Sequence, residues 1–291
     1  MTVVLGVDTL TYHCRLDSGE VSVEDVLTEC AGLGFGYVQL NVVHLRDRTL
    51  ADLARLRGTA ADLGLSLHLA GEQLGYAFKG EPVAAAVDRV RAWTDRALAL
   101  GSPLLRVSSG FYRHNLPDPA AIAAERSYVV DALGAGAEAI TGSGVTLLLE
   151  NHSDFTLDEY AGIIEAVGPG QVGVFLDIIN PVSTLSDPVP VIRRLLPWAP
   201  AGHVKDYRFE SMYVEGGYHR RGFQVHWCYP GEGVAPLAQL LAEVAGGHTG
   251  DVYHLSIEGL DSRRRVPDQR ERLRASLAVL RGLLPRRDAQ R

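Results

Sequence analysis

Four times in the second half of the chain, a short apolar run ends near a side chain that can bind a metal. Val145-Thr-Leu-Leu-Leu-Glu150 stops abruptly in Asn151, His152, Ser153 and Asp154. Val172-Gly-Val-Phe-Leu-Asp177, Ala201-Gly-His203-Val-Lys205-Asp206 and Val252-Tyr-His-Leu-Ser-Ile-Glu258 repeat the grammar, the His203 run more weakly. Near-continuous apolar runs of this length suit parallel strands buried on both faces. Packing alone does not call for an ionisable group at the C-terminal end of each. A single such group is usually a helix cap or a loop hydrogen-bonder; four in successive strands are a pattern.

The rest of the chain supplies matching units. Val3–Val7, Tyr37–Asn41, Leu65–Leu69 and Leu104–Ser108 read as four earlier strands. Helical stretches separate them: from Ser22 to about Leu33, Thr49 to Leu63, Glu81 to Leu100, and Asp118-Pro119 to about Thr141. Ser22 is a natural N-cap followed by acids, and Pro119 suits a first helical position. Thr156-Leu-Asp-Glu159 matches a capping box. Later helices are expected at about Pro188–Leu196, Val234–Val244 and Pro267–Leu284. Eight strands alternating with eight helices predict an α/β chain folded as a single (β/α)8 barrel over residues 1–284, with a flexible tail at 285–291. A doubly wound open sheet would need a Gly-x-Gly-x-x-Gly turn after an early strand, and none follows Val7 or Leu40. Tyr207–Gly233 reads as a long irregular rim insertion mixing Arg208, Arg220 and Arg221 with Tyr213, Tyr218, Phe223 and Trp227, a lid or a subunit contact.

Barrel active sites lie at the C-terminal ends of the strands. Side chains alternate along a strand, so Glu150 shares a face with His152, Asp177 with Phe175, His203 with Lys205, and Glu258 with Ser256. If the four strands are neighbours, Glu150, Asp177, His203 and Glu258 converge. Three uncompensated carboxylates would repel and take up protons, a cost that a divalent cation removes. Oxygen and imidazole donors without thiolate suit Mn²⁺ first, with Mg²⁺, Co²⁺ or Zn²⁺ also admissible. Such an ion, beside a carbonyl, acidifies the neighbouring C–H, and a carboxylate or His within about 3 Å of it then acts as base. Return of the proton to the other face epimerises, return to the next carbon isomerises, and loss of a β-substituent eliminates.

These motifs resemble the xylose-isomerase-like superfamily of sugar isomerases and epimerases. The resemblance rests on Leu149-Glu150-Asn151-His152, Leu176-Asp177-Ile178-Ile179-Asn180-Pro181, His203-Val204-Lys205-Asp206, Pro230-Gly231-Glu232-Gly233 and Ile257-Glu258. It implies one divalent metal held by Glu150, Asp177, His203 and Glu258. In the ketose epimerase branch it also implies that Glu150 and Glu258 move protons on opposite faces of the substrate. His152 is a further acid–base or substrate candidate; Lys205 is a candidate to bind a substrate oxygen or to hold a metal-ligand carboxylate. His68 is a candidate substrate contact or else a packed core histidine, and Arg106, a candidate substrate contact, lines the expected barrel mouth with Gln39. Asn180 is expected to shape the turn after Asp177. Tyr12, His13, His114, His219, His226 and Trp227 fall in expected rim loops, where specificity usually resides.

The expected activity is a metal-dependent isomerase or epimerase of a small keto-sugar or polyol. The alternative is a lyase on the same scaffold: a keto-polyol dehydratase, or a β-eliminating enzyme resembling the sugar-isomerase-like subunit of C-glycoside deglycosidases, which works with a small partner subunit. His152 would then be the stronger base candidate. A DNA-repair endonuclease of the same superfamily would need a basic groove, and the net charge of −7 argues against nucleic-acid binding. Only two of the 28 basic residues are lysines, Lys79 and Lys205, which makes Lys205 beside His203 conspicuous. No apolar stretch approaches the roughly 20 residues that span a bilayer. Cys14, Cys30 and Cys228 are odd in number and scattered, which suggests no disulfide framework. With no signal-peptide pattern at the N-terminus, a cytoplasmic homo-oligomer is expected.

Overall fold

The computed structural model describes residues 1–116, 118–213, 220–259 and 266–285, apart from the side chains of Tyr213, Arg220 and Arg221. His219, Tyr218, Gly216 and Gly217 of the expected rim segment and residues 286–291 of the expected tail lie outside them. In chain order the elements are β1 (Thr2–Asp8), α1 (His13–Asp17), α2 (Val23–Leu33), β2 (Tyr37–Asn41), α3 (Leu50–Asp62) and β3 (Ser66–Gln73). Then come α4 (Val83–Leu100), β4 (Leu104–Ser108), α5 (Pro119–Ala139), β5 (Thr146–Glu150), α6 (Leu157–Val167), β6 (Gly173–Asp177) and α7 (Pro188–Leu195). The chain continues through β7 (Ala201–Val204), β8 (Asp206–Tyr213), β9 (Arg220–Cys228), α8 (Leu237–Gly247), β10 (Val252–Ile257) and α9 (Gln269–Leu283).

Eight strands close into a parallel barrel in the order β1-β10-β7-β6-β5-β4-β3-β2. The helices begin where the sequence chemistry predicts. Ser22, Thr49 and Thr156 each form a capping box, with Asp25, Asp52 and Glu159 reaching back to the cap amide. Asp118 accepts the Ala120 amide at 2.9 Å ahead of Pro119. These reciprocal bonds satisfy backbone donors that a helix start leaves unpaired. The dominant apolar cluster lies between strands and helices, with Val7, Leu40, Leu69, Val107, Leu149, Val174, Val204 and Ile257 packed against residues such as Leu27, Leu53, Val90, Leu133, Ile163 and Leu240.

The barrel interior is different. A small apolar plug of Leu148, Phe175 and Ala201 fills part of it. Beside the plug, Tyr37, His68 and His254 pack ring against ring at 4.5–5.1 Å. Gly6 allows the Tyr37 ring to lie across β1, where a Cβ would overlap it. Ser256 donates to Gln39 at 3.0 Å. This polar floor supports the site at the rim.

The rim insertion is not irregular, as the sequence reading had it. β8 and β9 form an antiparallel ribbon that pairs Tyr207 with Trp227, Phe209 with Val225 and Ser211 with Phe223. Period-two alternation puts Tyr207, Phe209, Phe223, Val225 and Trp227 on one face. The interspersed arginines obscured that period in the sequence. Asp206 closes the ribbon's base: its carboxylate accepts the amides of Tyr207, Gly231, Gly233 and Ala235 at 2.8–3.0 Å.

Candidate metal centre

Glu150 ends β5, Asp177 ends β6, His203 lies in β7, and Glu258 follows β10. The barrel order makes β5, β6, β7 and β10 consecutive neighbours, so the four side chains meet. Each offers one ligand atom, and all four atoms lie within 4.8 Å of one another. The centre of the arrangement is His203 Nδ1. It lies 3.0 Å from Glu150 Oε1, 3.6 Å from Glu258 Oε1 and 3.9 Å from Asp177 Oδ2.

Surrounding groups hold each ligand in place. Arg106 Nη1 lies 3.4 Å from the other oxygen of Glu150. Lys205 Nζ donates at 2.7 Å to Glu258 Oε2 and at 2.7 Å to Asp177 Oδ2. Asp177 Oδ1 accepts the amides of Ile179 and Asn180 at 2.8 Å, which fixes the turn that follows. Asn151 ties β5 to β6 by donating to the Asp177 carbonyl at 2.8 Å and accepting its amide at 2.7 Å. His203 Nε2 faces Asp8 Oδ2 at 3.4 Å, and neither atom has a hydrogen-bond partner among the described residues. A carboxylate against the remote nitrogen is the usual support of a metal-binding imidazole, because it leaves the other nitrogen's lone pair for the ion.

The charges fit a divalent cation. Asp8, Glu150, Asp177 and Glu258 are countered by Arg106 and Lys205, so with a neutral His203 the buried cluster carries an excess of two negative charges. A divalent cation matches that excess. Without it, a neutral Nδ1 lone pair would point at three carboxylate oxygens. His203 is instead pushed up to about 10: burial opposes the charge, but Glu258, Asp8 and Glu150 outweigh it. Burial also works against Glu150 and Glu258, yet Arg106 and His203 hold Glu150 well below the carboxylate range, and Lys205 and His203 do so for Glu258. Lys205 is raised by Asp177 and Glu258 against its own burial.

A cavity of about 270 Å³ opens at this rim, with Glu150, Glu258, Arg106, His152, His13 and Tyr112 in its wall. Asp177 and His203 lie beneath it, fully buried. His152 faces the cavity with its ring 5.3 Å from that of Tyr112. His68 and Lys205 lie outside the cavity wall, each in the other of the two places expected for it. His68 is buried in the ring stack of the barrel floor, and Lys205 is buried against two carboxylates with Trp227 5.3 Å away. Gln39 is likewise buried below the mouth. Tyr12 is buried and donates to Glu29 at 3.0 Å, while His226 sits on the ribbon 2.8 Å from Glu210. Sequence reasoning passed over Asp8, although Leu5-Gly-Val-Asp8 is itself an apolar run ending in a carboxylate. It also missed Glu72, Gln73 and Ser108, which line the cavity from β3 and β4.

A (β/α)8 barrel whose C-terminal rim buries three carboxylates and an imidazole around one point defines a class: barrels with a centre fitted to a single divalent cation. The chain belongs to the xylose isomerase-like TIM barrel family, which it matches over residues 27–283. No curated protein matches it significantly. Among solved structures it is similar to a xylose isomerase-like TIM barrel/4-hydroxyphenylpyruvate dioxygenase fusion protein, at 21% identity and a TM-score of 0.73, covering 97% of this chain and 43% of that one. The chain thus spans less than half of the fusion protein's length. It is similar to D-psicose 3-epimerase from Clostridium cellulolyticum H10, solved with D-tagatose, at 14% identity and a TM-score of 0.74 over 96% of this chain and 99% of that one. It is also similar to AsbF of Bacillus anthracis, a probable 3-DHS dehydratase, at 17% identity and a TM-score of 0.67 over 95% and 98% of the two chains. At these identities the likeness is one of fold.

Proposed function

We propose that the protein is a divalent-metal-dependent isomerase or epimerase of a small keto-sugar or polyol. One observation carries the reading. Of the four clustered residues, only Glu150 and Glu258 belong both to the centre and to the cavity wall. They are therefore the two that can hold an ion and also reach a substrate carbon. Glu150, Asp177, His203 and Glu258 would hold the ion, with Mn²⁺ as the proposed metal on the strength of its oxygen-rich donor set. When bound, it supplies Lewis acidity that eases removal of a proton from carbon beside a carbonyl.

The side chains do the rest. Glu150 takes the proton from one face of the substrate carbon, and Glu258 delivers one to the other. Arg106 and Lys205 keep both carboxylates anionic and oriented. His152 binds a substrate hydroxyl from the cavity wall. The reading keeps the ribbon as a lid or subunit contact, supported by its exposed Phe209, Met212 and Phe223. It places the enzyme in the cytoplasm, supported by three free thiols.

The test is solvent-deuterium incorporation into a panel of keto-sugars, polyol ketones and oxidised glycosides at saturating Mn²⁺. Glu150→Gln and Glu258→Gln should each lose at least about 10²-fold, because positioned acid–base groups contribute 10²–10⁴. His152→Ala should raise KM more than it lowers kcat. The lyase alternative inverts the order: His152→Ala would abolish exchange and metal-loaded Glu258→Gln would retain it. Wild-type exchange in both Glu variants would refute the mechanism.

A further inference from the structure

A second set of wired side chains stands across the cavity from Glu150, and the chemistry above does not use it. His13, at the start of α1, lines the cavity. It follows β1, which is diametrically opposite β5 in the barrel order. Its Nδ1 lies 2.9 Å from Nε2 of His44, and His44 Nδ1 lies 2.9 Å from Thr9 Oγ1. Two neutral imidazole nitrogens at this distance share one proton, so one donates and the other accepts.

The far end of the chain sets the direction. Thr9 is fully buried, and its Oγ1 already accepts the Asn41 amide at 2.9 Å. Among the described residues, His44 Nδ1 is the one acceptor in hydrogen-bond contact with its hydroxyl. A buried hydroxyl with no acceptor costs about 1–3 kcal/mol, which outweighs the small intrinsic difference between imidazole tautomers. Thr9 therefore donates to His44 Nδ1, and His44 Nε2–H donates to His13 Nδ1. Burial, opposed by Asp8 and reinforced by His13, holds His44 down at about 4, which keeps its ring neutral at pH 7. With its Nδ1 lone pair taken, His13 has only Nε2–H left to offer. It is a donor and not a base.

We propose that His13 is a tautomer-locked hydrogen-bond donor that binds an acceptor oxygen of the substrate on the side of the cavity facing Glu150. It thereby selects substrates bearing oxygen at that position over their deoxy analogues, as a site with a fixed donor does. The proposal rests on the keto-sugar reading for its ligand, but the lock itself does not depend on activity.

Long-range ¹H–¹⁵N imidazole spectra of the Mg²⁺-loaded protein read the lock directly. Both His13 and His44 should carry their proton on Nε2, and Thr9→Val should shift His44 toward Nδ1–H. The same spectra, on adding D-fructose, its 1-deoxy and its 6-deoxy analogues, should show His13 Nε2 moving with D-fructose and with only one of the two analogues. In turnover, His13→Leu should raise the KM of D-fructose roughly 2–10-fold at unchanged kcat, the range expected for one neutral hydrogen bond. It should leave the insensitive analogue unaffected, and His13→Gln, which keeps an N–H, should recover most of the loss. A His13 proton on Nδ1, or equal shifts and KM changes for all three sugars, would overturn the proposal. Absence of wild-type turnover would count against the keto-sugar reading, while the spectra would still decide the lock and the contact.

Discussion

Lys205→Met probes the charge balance of the centre directly. Met conserves much of the side-chain volume, so the main loss is one buried cation that contacts Asp177 and Glu258 at 2.7 Å each. Removing one partner of a buried ion pair costs roughly 3–5 kcal/mol, because the remaining charge is left uncompensated. At about 2–4 °C per kcal/mol for chains of this size class, the metal-free variant should melt roughly 6–20 °C below wild type. A divalent ion should return much of this. In wild type, metal at 100 times Kd adds about 2.7 kcal/mol. The variant lacks a cation that competes for the same carboxylates, so it should bind metal more tightly and gain more. Melting curves with EDTA and with saturating Mn²⁺ give the comparison, with isothermal titration for Kd. The expected result is a metal-loaded deficit less than half the metal-free one, with a lower Kd. If the metal-free variant does not fold, metal-driven refolding gives the same answer. Equal deficits with and without metal would refute the view that Lys205 balances the charge that the ion otherwise balances.

Further outcomes follow from the structure. Because His203 is protonated up to about pH 10 without an ion, metal binding at pH 7 should release about one proton per ion, read from titration heats in buffers of different ionisation enthalpy. The same shift means that in metal-free protein the His203 charge contributes stability in full below about pH 6.5, lost as pH rises through about 10. Burial, with His254 adding to it, holds His68 down at about 3, so its contribution is present above about pH 6.5 and lost as pH falls toward 3. Urea midpoints of His68→Phe should accordingly show a pH slope in that window shallower by up to about 1.4 kcal/mol per unit. Finally, a methyl at Gly202 would overlap the Leu176 carbonyl oxygen between β6 and β7, whereas one at Gly162 in α6 meets nothing within 4 Å. Gly202→Ala should cost at least about 3 kcal/mol, and Gly162→Ala should add about 0.4–1 kcal/mol, both read by denaturant unfolding.

Much of this was legible in the chain. The barrel could be read because most strands are short, largely apolar runs and several helices open on a hydroxyl or carboxylate cap, at Ser22, Thr49, Asp118, Thr156 and Asp187, features set by local chemistry. Glu150, Asp177, His203 and Glu258 stood out because an ionisable group has no packing reason to end a buried strand. Asp8 obeys the same logic on β1, but its run holds Gly6 and was read only as a first strand. His68 left two readings open for a physical reason: in this barrel the floor is polar, so a histidine in a strand can be packing material shared with Tyr37 and His254. The ribbon escaped because its two strands are mutually partnered and half exposed, and the face opposite the aromatics mixes Arg208 and Glu210 with Met212, Gly222 and Gln224. The His13–His44–Thr9 chain joins the ends of β1 and β2, about 30 residues apart in sequence, which only the pairing of the two strands brings together.

The Asp206 clasp has a consequence for how such a protein can change. One carboxylate gathers four amides at the foot of the ribbon, and only Lys205 separates β7 from β8. The clasp fixes where the ribbon leaves and rejoins the barrel, whatever lies between. The stretch from Arg208 to Pro230 is thereby a cassette: it can lengthen, shorten or be exchanged while the clasp and the strand carrying His203 stay in register. That edge can change shape and chemistry, and the four-residue centre carried by β5, β6, β7 and β10 need not be rebuilt each time.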